Sequence, residues 1–185
     1  MGLFDFLRKR EDPADPHPDP IHDLVLSKLR PGYLLDHDLE TWQVTAHHRY
    51  ELDGEDTVEE WELLAGRQRV YLELEHDDGE HWSLSKKIPL GAIDGDVRRH
   101  ILDNDDPPPR LRHDGVDYHL DESRAGYYFE NGVGPRQELL KWDYVDGDEA
   151  RTLTVEQWGE DDFEASVGKV VFPHQFTNIL PGSPP

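Results

Sequence analysis

The chain has 185 residues, with 41 acidic against 19 basic side chains, a formal net charge of −22 and no cysteine. Such a field repels the phosphates of DNA and RNA, which sets nucleic-acid binding aside and favours cations, polyamines or basic protein surfaces. Without cysteine there is no disulfide, no thiolate nucleophile and no thiolate metal site.

Residues 1–10 form a segment of their own. Leu3, Phe4 and Leu7 fall on one helical face with Phe6 flanking it, and Arg8, Lys9 and Arg10 follow at once. This pattern is the candidate for docking on an anionic membrane surface or on a partner protein. Each apolar side chain contributes about 1.5–3 kcal/mol if fully buried, and each basic one adds on the order of 1 kcal/mol near anionic lipid. Phe6 stands where myristoylation of Gly2 would need Ser or Thr. Residues 11–20, rich in Asp and Pro, read as an extended linker. No apolar run is long enough to span a bilayer and no signal peptide is visible, so the expectation is a cytoplasmic protein, peripheral on the inner face of the membrane through residues 1–10.

From residue 21 to 180 the chain reads as one β domain. Ile21, Leu24, Val25 and Leu29 suggest a short helix ended by Pro31-Gly32. Alternation then takes over: Trp42, Val44, Ala46, His48 and Tyr50 are expected on one strand face. Further strands start at Trp61, run over Val70–Leu74, and cover Trp82 to Ile88 after a turn at Asp77-Asp78-Gly79. Ile93, Val97 and Ile101 suggest a second short helix, closed off by Pro107-Pro108-Pro109. Strands follow near 118–130, 138–145, 152–158 and 163–171, and residues 181–185 form a polar tail.

The two strand sets match each other without gaps at an offset of 81 residues. Trp61 matches Trp142, Gly66 matches Gly147, Leu72 matches Leu153, Glu75 matches Glu156, Trp82 matches Phe163 and Ser85 matches Ser166. The fold predicted is therefore all-β with two short helices: two pseudo-repeated four-strand antiparallel meanders, at about 29–90 and 110–172. Packing their apolar faces together gives a sandwich or partly open barrel over a shared core of Trp61, Trp82, Trp142 and Phe163.

Candidate chemistry is sparse. His47 and His48 are adjacent in a strand and point to opposite faces, and no metal-ligand spacing exists, so no metal and no cofactor are expected. His48, on the apolar parity, reads as a satisfied core histidine. Glu156, Trp158, Glu160, Asp161 and Asp162 form the densest aromatic and acidic cluster. It offers spaced carboxylates and an aromatic face to a polyamine or other cation, while the plainer reading is a charged hairpin turn with Trp158 as a strand-end packing residue. No nucleophile elbow, phosphate loop or dinucleotide fingerprint is present, so catalytic residues are not assigned.

Leu29-Arg30-Pro31-Gly32, Trp42-Gln43-Val44, Glu60-Trp61-Glu62-Leu63, Tyr71-Leu72-Glu73 and Trp82 resemble an uncharacterised bacterial domain family, DUF 4178. Asp114-Gly115-Val116-Asp117-Tyr118, Trp142-Asp143-Tyr144 and Glu156-Gln157-Trp158 continue the resemblance, which runs from about residue 29 to 180. The resemblance implies no catalytic residues. It implies a setting beside membrane-stress proteins of the phage-shock type, small membrane proteins and aminopropyltransferases similar to spermidine synthase. Together these readings give a non-catalytic adaptor in an envelope-stress assembly, with a protein partner of basic surface. The alternatives are an acidic polyamine- or cation-binding sensor, and an enzyme of unknown reaction.

Overall fold

A computed structural model describes residues 24–53, 57–76 and 79–184. The segment 1–10, the linker 11–20 and the turn residues Asp77-Asp78 lie outside the described residues. Eleven strands form one antiparallel sheet: β1 (Leu34–His37), β2 (Glu40–Leu52), β3 (Thr57–Ala65), β4 (Gln68–His76), β5 (Glu80–Ile88), β6 (Arg110–His113), β7 (Val116–Phe129), β8 (Gln137–Val145), β9 (Arg151–Gln157), β10 (Phe163–Val171) and β11 (Thr177–Leu180). Their order is β11-β1-β2-β3-β4-β5-β10-β9-β8-β7-β6. An additional pairing of β2 with β7, Arg49 opposite Phe129 to Leu52 opposite Gly126, closes β2–β5 and β7–β10 into an eight-stranded barrel.

This closed barrel replaces the sandwich. Each meander has five strands, because the short strands β1 and β6 precede the four expected ones. Both enter through tight turns in the left-handed region, Asp38-Leu39 and Asp114-Gly115. The expected helix from Ile21 to Leu29 is, in its described part, a single 3-10 turn at Leu26–Lys28. The second helix, α1 (Val97–Asn104), forms: Asp96 caps it by accepting from the Arg99 N–H at 3.1 Å, and Asp105 ends it with φ 64°.

The larger correction concerns the faces. Lys141 on β8 lies 3.1 Å from Glu73 on β4, and Arg124 on β7 binds Glu75 on β4. These strands stand across the barrel from one another, so the charged face is the inner one and the apolar face is the outer one. Trp61, Leu63, Leu72, Leu74 and Trp82 form one outer cluster, covered by Leu26, Leu29, Tyr33, Leu35 and Phe176. Trp142, Tyr144, Leu153 and Val155 form another, covered by Ile93, Val97, Ile101 and Leu111, with Phe163 at its edge. The covers are also hydrogen-bonded: Trp61 Nε1 donates to the Leu29 carbonyl at 3.0 Å, Trp142 Nε1 to Asp106 at 3.2 Å, and the Tyr144 hydroxyl to the Pro108 carbonyl at 2.9 Å. Trp61 and Trp82 stack at 5.7 Å in the first cluster and do not share an interior with Trp142 and Phe163. Once residues 24–35 and 90–111 bury the apolar faces locally, nothing drives those faces together.

Two further differences follow from register. β2 has a bulge between Val44 and Ala46, so Trp42, Val44 and His47 face outward with Trp61, whereas Ala46, His48 and Tyr50 face the lumen. The path from Trp142 around the turn to its strand partner is two residues longer than the path from Trp61 to its own. Trp61 pairs with Leu72 while Trp142 pairs with Val155. In β9 the constant offset fails, and the residue in the register of Glu156 is Glu73 rather than Glu75.

Candidate functional site

The barrel lumen carries the chemistry. Strand alternation sends every second side chain of eight strands inward, and here those residues are mostly polar or ionisable. At one mouth a cavity of about 630 Å³ is lined by Glu62, Glu130, Asp162 and Glu164 together with Tyr50, Tyr71, Tyr128 and Trp158. Tyr128 meets Trp158 edge-on at 5.2 Å and Tyr50 at 5.0 Å, giving one rigid aromatic wall. Arg69 pairs with Glu62 at 3.2 Å, and Lys87 pairs with Glu164 while lying over the Tyr71 ring at 5.2 Å. His48 accepts from the Asn131 N–H through Nδ1 at 3.1 Å, and burial lowers its pKa, which keeps the imidazole neutral.

Below the mouth, Glu60, Glu73 and Glu156 gather with Lys87 and Glu164 around a cavity of about 10 Å³. Glu60 is 7 % exposed and, among the described residues, receives one hydrogen bond, from the Tyr50 hydroxyl at 3.4 Å. Burial, with repulsion from Glu73 and Glu156, pushes its carboxyl well above the usual carboxylate range. Burial and then Glu73 push Glu156 up to about 7, against the pull of Lys141. Lys141 is held charged by Glu73 at 3.1 Å and Asp143 at 3.6 Å. Burial opposes the ionisation of Asp143, but Lys141, Arg124 and a 2.7 Å bond from the Thr154 hydroxyl outweigh it and hold its pKa low. Toward the other mouth, Arg124 binds Glu75, Asp143 at 3.2 Å and Glu122 at 3.3 Å, beside a cavity of about 260 Å³.

The structure splits the acidic cluster read from the sequence. Glu156 lines the mid-lumen, and Trp158 and Asp162 stand at the mouth. Asp161 faces away to pair with Arg98 at 2.8 Å, and Glu160 is exposed in the β9–β10 turn. Glu60, Glu73, Lys141 and Tyr50 join the site without having been singled out as site residues. For Glu73 a signal was present in β4, where Tyr71, Glu73 and Glu75 alternate with Val70, Leu72 and Leu74. The docking residues Leu3, Phe4, Phe6, Leu7, Arg8, Lys9 and Arg10 lie outside the described residues. Among the described residues no helix is long and apolar enough to cross a membrane.

A protein of Aquifex aeolicus (strain VF5), described as an uncharacterized protein, is 26 % identical over 156 residues, covering 84 % of this chain and 85 % of the relative. No solved structure matches the chain. The family model described as "Domain of unknown function (DUF4178)" matches residues 30–173, from just before β1 to just after β10. That span takes in every lumen residue named above, and the chain belongs to this family.

Proposed function

We propose that the protein is a binding module whose barrel takes a small organic cation through the acidic, aromatic mouth. One observation carries this reading. The mouth is lined by five carboxylates, those of Glu60, Glu62, Glu130, Asp162 and Glu164, against two basic side chains, Arg69 and Lys87, which are already paired with Glu62 and Glu164. Four aromatic rings line the same space. An alkylammonium ion gains from both: charge-assisted hydrogen bonds to carboxylates and attraction to ring faces. This gives the polyamine- or cation-binding sensor a defined cavity in place of a surface turn. Melting in spermidine, compared with sodium chloride at equal ionic strength, tests it. Saturating amine should raise Tm, since about 100-fold excess over Kd adds roughly 2.7 kcal/mol. An equal shift in both would reduce the effect to screening and overturn the reading.

The adaptor reading, with an inner-leaflet anchor and a basic protein partner, draws its support from the sequence of residues 1–10 and the −22 charge. Vesicle flotation with and without that segment tests it, and equal flotation removes it. Internal duplication is the finer reading of the fold. It is supported by the bulge that β2 and β7 each carry, by the matching turns that open each meander, and by Trp61 and Trp142 on the third strand of each.

A further inference from the structure

The two halves place different charges at one depth of the barrel. Glu60 pairs in register with Glu73 across β3 and β4, and Lys141 pairs with Glu156 across β8 and β9. Glu60 and Lys141 each immediately precede the tryptophan that anchors its outer cluster, so they hold the same place in their meanders. These four register partners are thus three carboxylates and one ammonium, and the Lys87 ammonium, paired with Glu164, borders the small cavity beside them. Lys141 crosses the barrel to Glu73 at 3.1 Å. Glu60, in the corresponding place, shares the small cavity with Glu156, the counterpart of Glu73. Where one half has an ion pair, the other has two acids.

We propose that Glu60 and Glu156 form the inner binding point for a primary ammonium group on an unbranched alkyl chain, which does on this side of the barrel what the Lys141 ammonium does on the other. The inference rests on the cation-binding reading above and names the ligand chemistry for it.

Three features select this chemistry. Glu60 is 93 % removed from solvent by its 7 % exposure, has no basic group within ion-pair distance among the described residues, and receives only the long Tyr50 bond. A primary ammonium brings three N–H donors to such a carboxylate, whereas a quaternary ammonium brings none. The inner cavity, about 10 Å³, has room for one group the size of a water molecule, which an –NH3 head matches and a trimethylated head exceeds. Glu60, Tyr71, Lys87 and Glu164 line both this cavity and the mouth, so the small space adjoins the large one. An alkyl chain leading outward runs along Tyr50, Tyr128 and Trp158, and a second ammonium at its far end meets Glu130 and Asp162.

The experiment is isothermal titration of the full chain with 1,4-diaminobutane and with its permethylated bis-quaternary analogue. Wild type, Glu60→Lys and Glu60→Gln are compared, and folding is checked by circular dichroism. Glu60→Lys builds the Lys141–Glu73 pairing a second time and fills the inner point. Wild type should bind the primary diamine at least about tenfold more tightly than the quaternary one, the preference a lost charge-assisted hydrogen bond implies. Both variants should lose that preference. If Glu60→Lys fails to fold, Glu60→Gln decides alone. Equal affinity of wild type and the folded variants for the diamine would overturn the inner point and leave cation binding at the mouth standing. Absence of binding by wild type to either amine would overturn the cation-binding reading and the inference together.

Discussion

Trp61 and Glu60 are neighbours in the chain and lie in opposite environments. Trp61 is 1 % exposed, stacks on Trp82 and His47 and donates to the Leu29 carbonyl. Glu60 is nearly as buried but sits among other carboxylates with one weak hydrogen bond. The same contrast holds over the two covered parts of the barrel, although Tyr50, Leu52, Val58 and Leu139 form an apolar cluster on the inner face at one end. In the covered parts the outer face is apolar and lies under residues 24–35 or α1, and the inner face carries ionisable groups that burial penalises. An interior of this kind costs stability, which the outer layers must supply. The lumen is therefore where recognition is expected, because its charges contribute little else.

The largest test of that division is Trp142→Ala. It empties a fully buried site against α1 and removes the bond to Asp106, and should cost about 3–5 kcal/mol in urea denaturation. A cost below about 1 kcal/mol would break the claim that the outer layers hold the fold. Lys141→Met should come next, at roughly 3 kcal/mol by the same measurement, because it leaves Glu73 and Asp143 without their shared ammonium. Pairing it with Glu73→Gln should recover part of the loss. Asp96→Ala removes the cap of the helix that covers the second cluster, and about 1 kcal/mol is expected.

Glu156→Gln should give a change of opposite sign, and one that depends on pH. The folded Glu156 carboxyl titrates at about 7 against an ordinary 4.5, so between those values the folded state holds a proton that the unfolded chain has released. Its stabilising effect is complete below about pH 4.5 and is lost as pH rises toward about 7. A shift from 4.5 to about 7 is worth roughly 3 kcal/mol, so the variant should melt higher than wild type at pH 8 by about 5 °C or more, and the two should converge near pH 4. A lower Tm at pH 8 would mean that Glu156 is satisfied as an anion.

The strands were legible because their alternation is strong. Phe163–Val171 emerged with its observed ends, and β4 was plain from Val70, Leu72 and Leu74. Alternation separates two faces but does not say which one closes inward. Assigning the apolar face to the interior failed because residues 24–35 and 90–111, weak in periodicity, turned out to be its covers. The bulge after Val44 moved His48 and Tyr50 to the lumen, and a bulge of one residue leaves no mark in a pattern of period two. Glu156 was found through its neighbours in the chain, whereas its companions Glu60, Glu73 and Lys141 meet it only through register and closure.

The most direct measurement is a pH titration of the glutamate side-chain carboxyls by carbon-13 NMR, with Glu60 and Glu156 assigned by substitution. The account predicts that Glu156 titrates near 7 and Glu60 well above the exposed glutamates, and that 1,4-diaminobutane draws both down. Titration of both with the exposed glutamates, near about 4.5, and no response to the diamine would contradict a lumen in which acids await a cation.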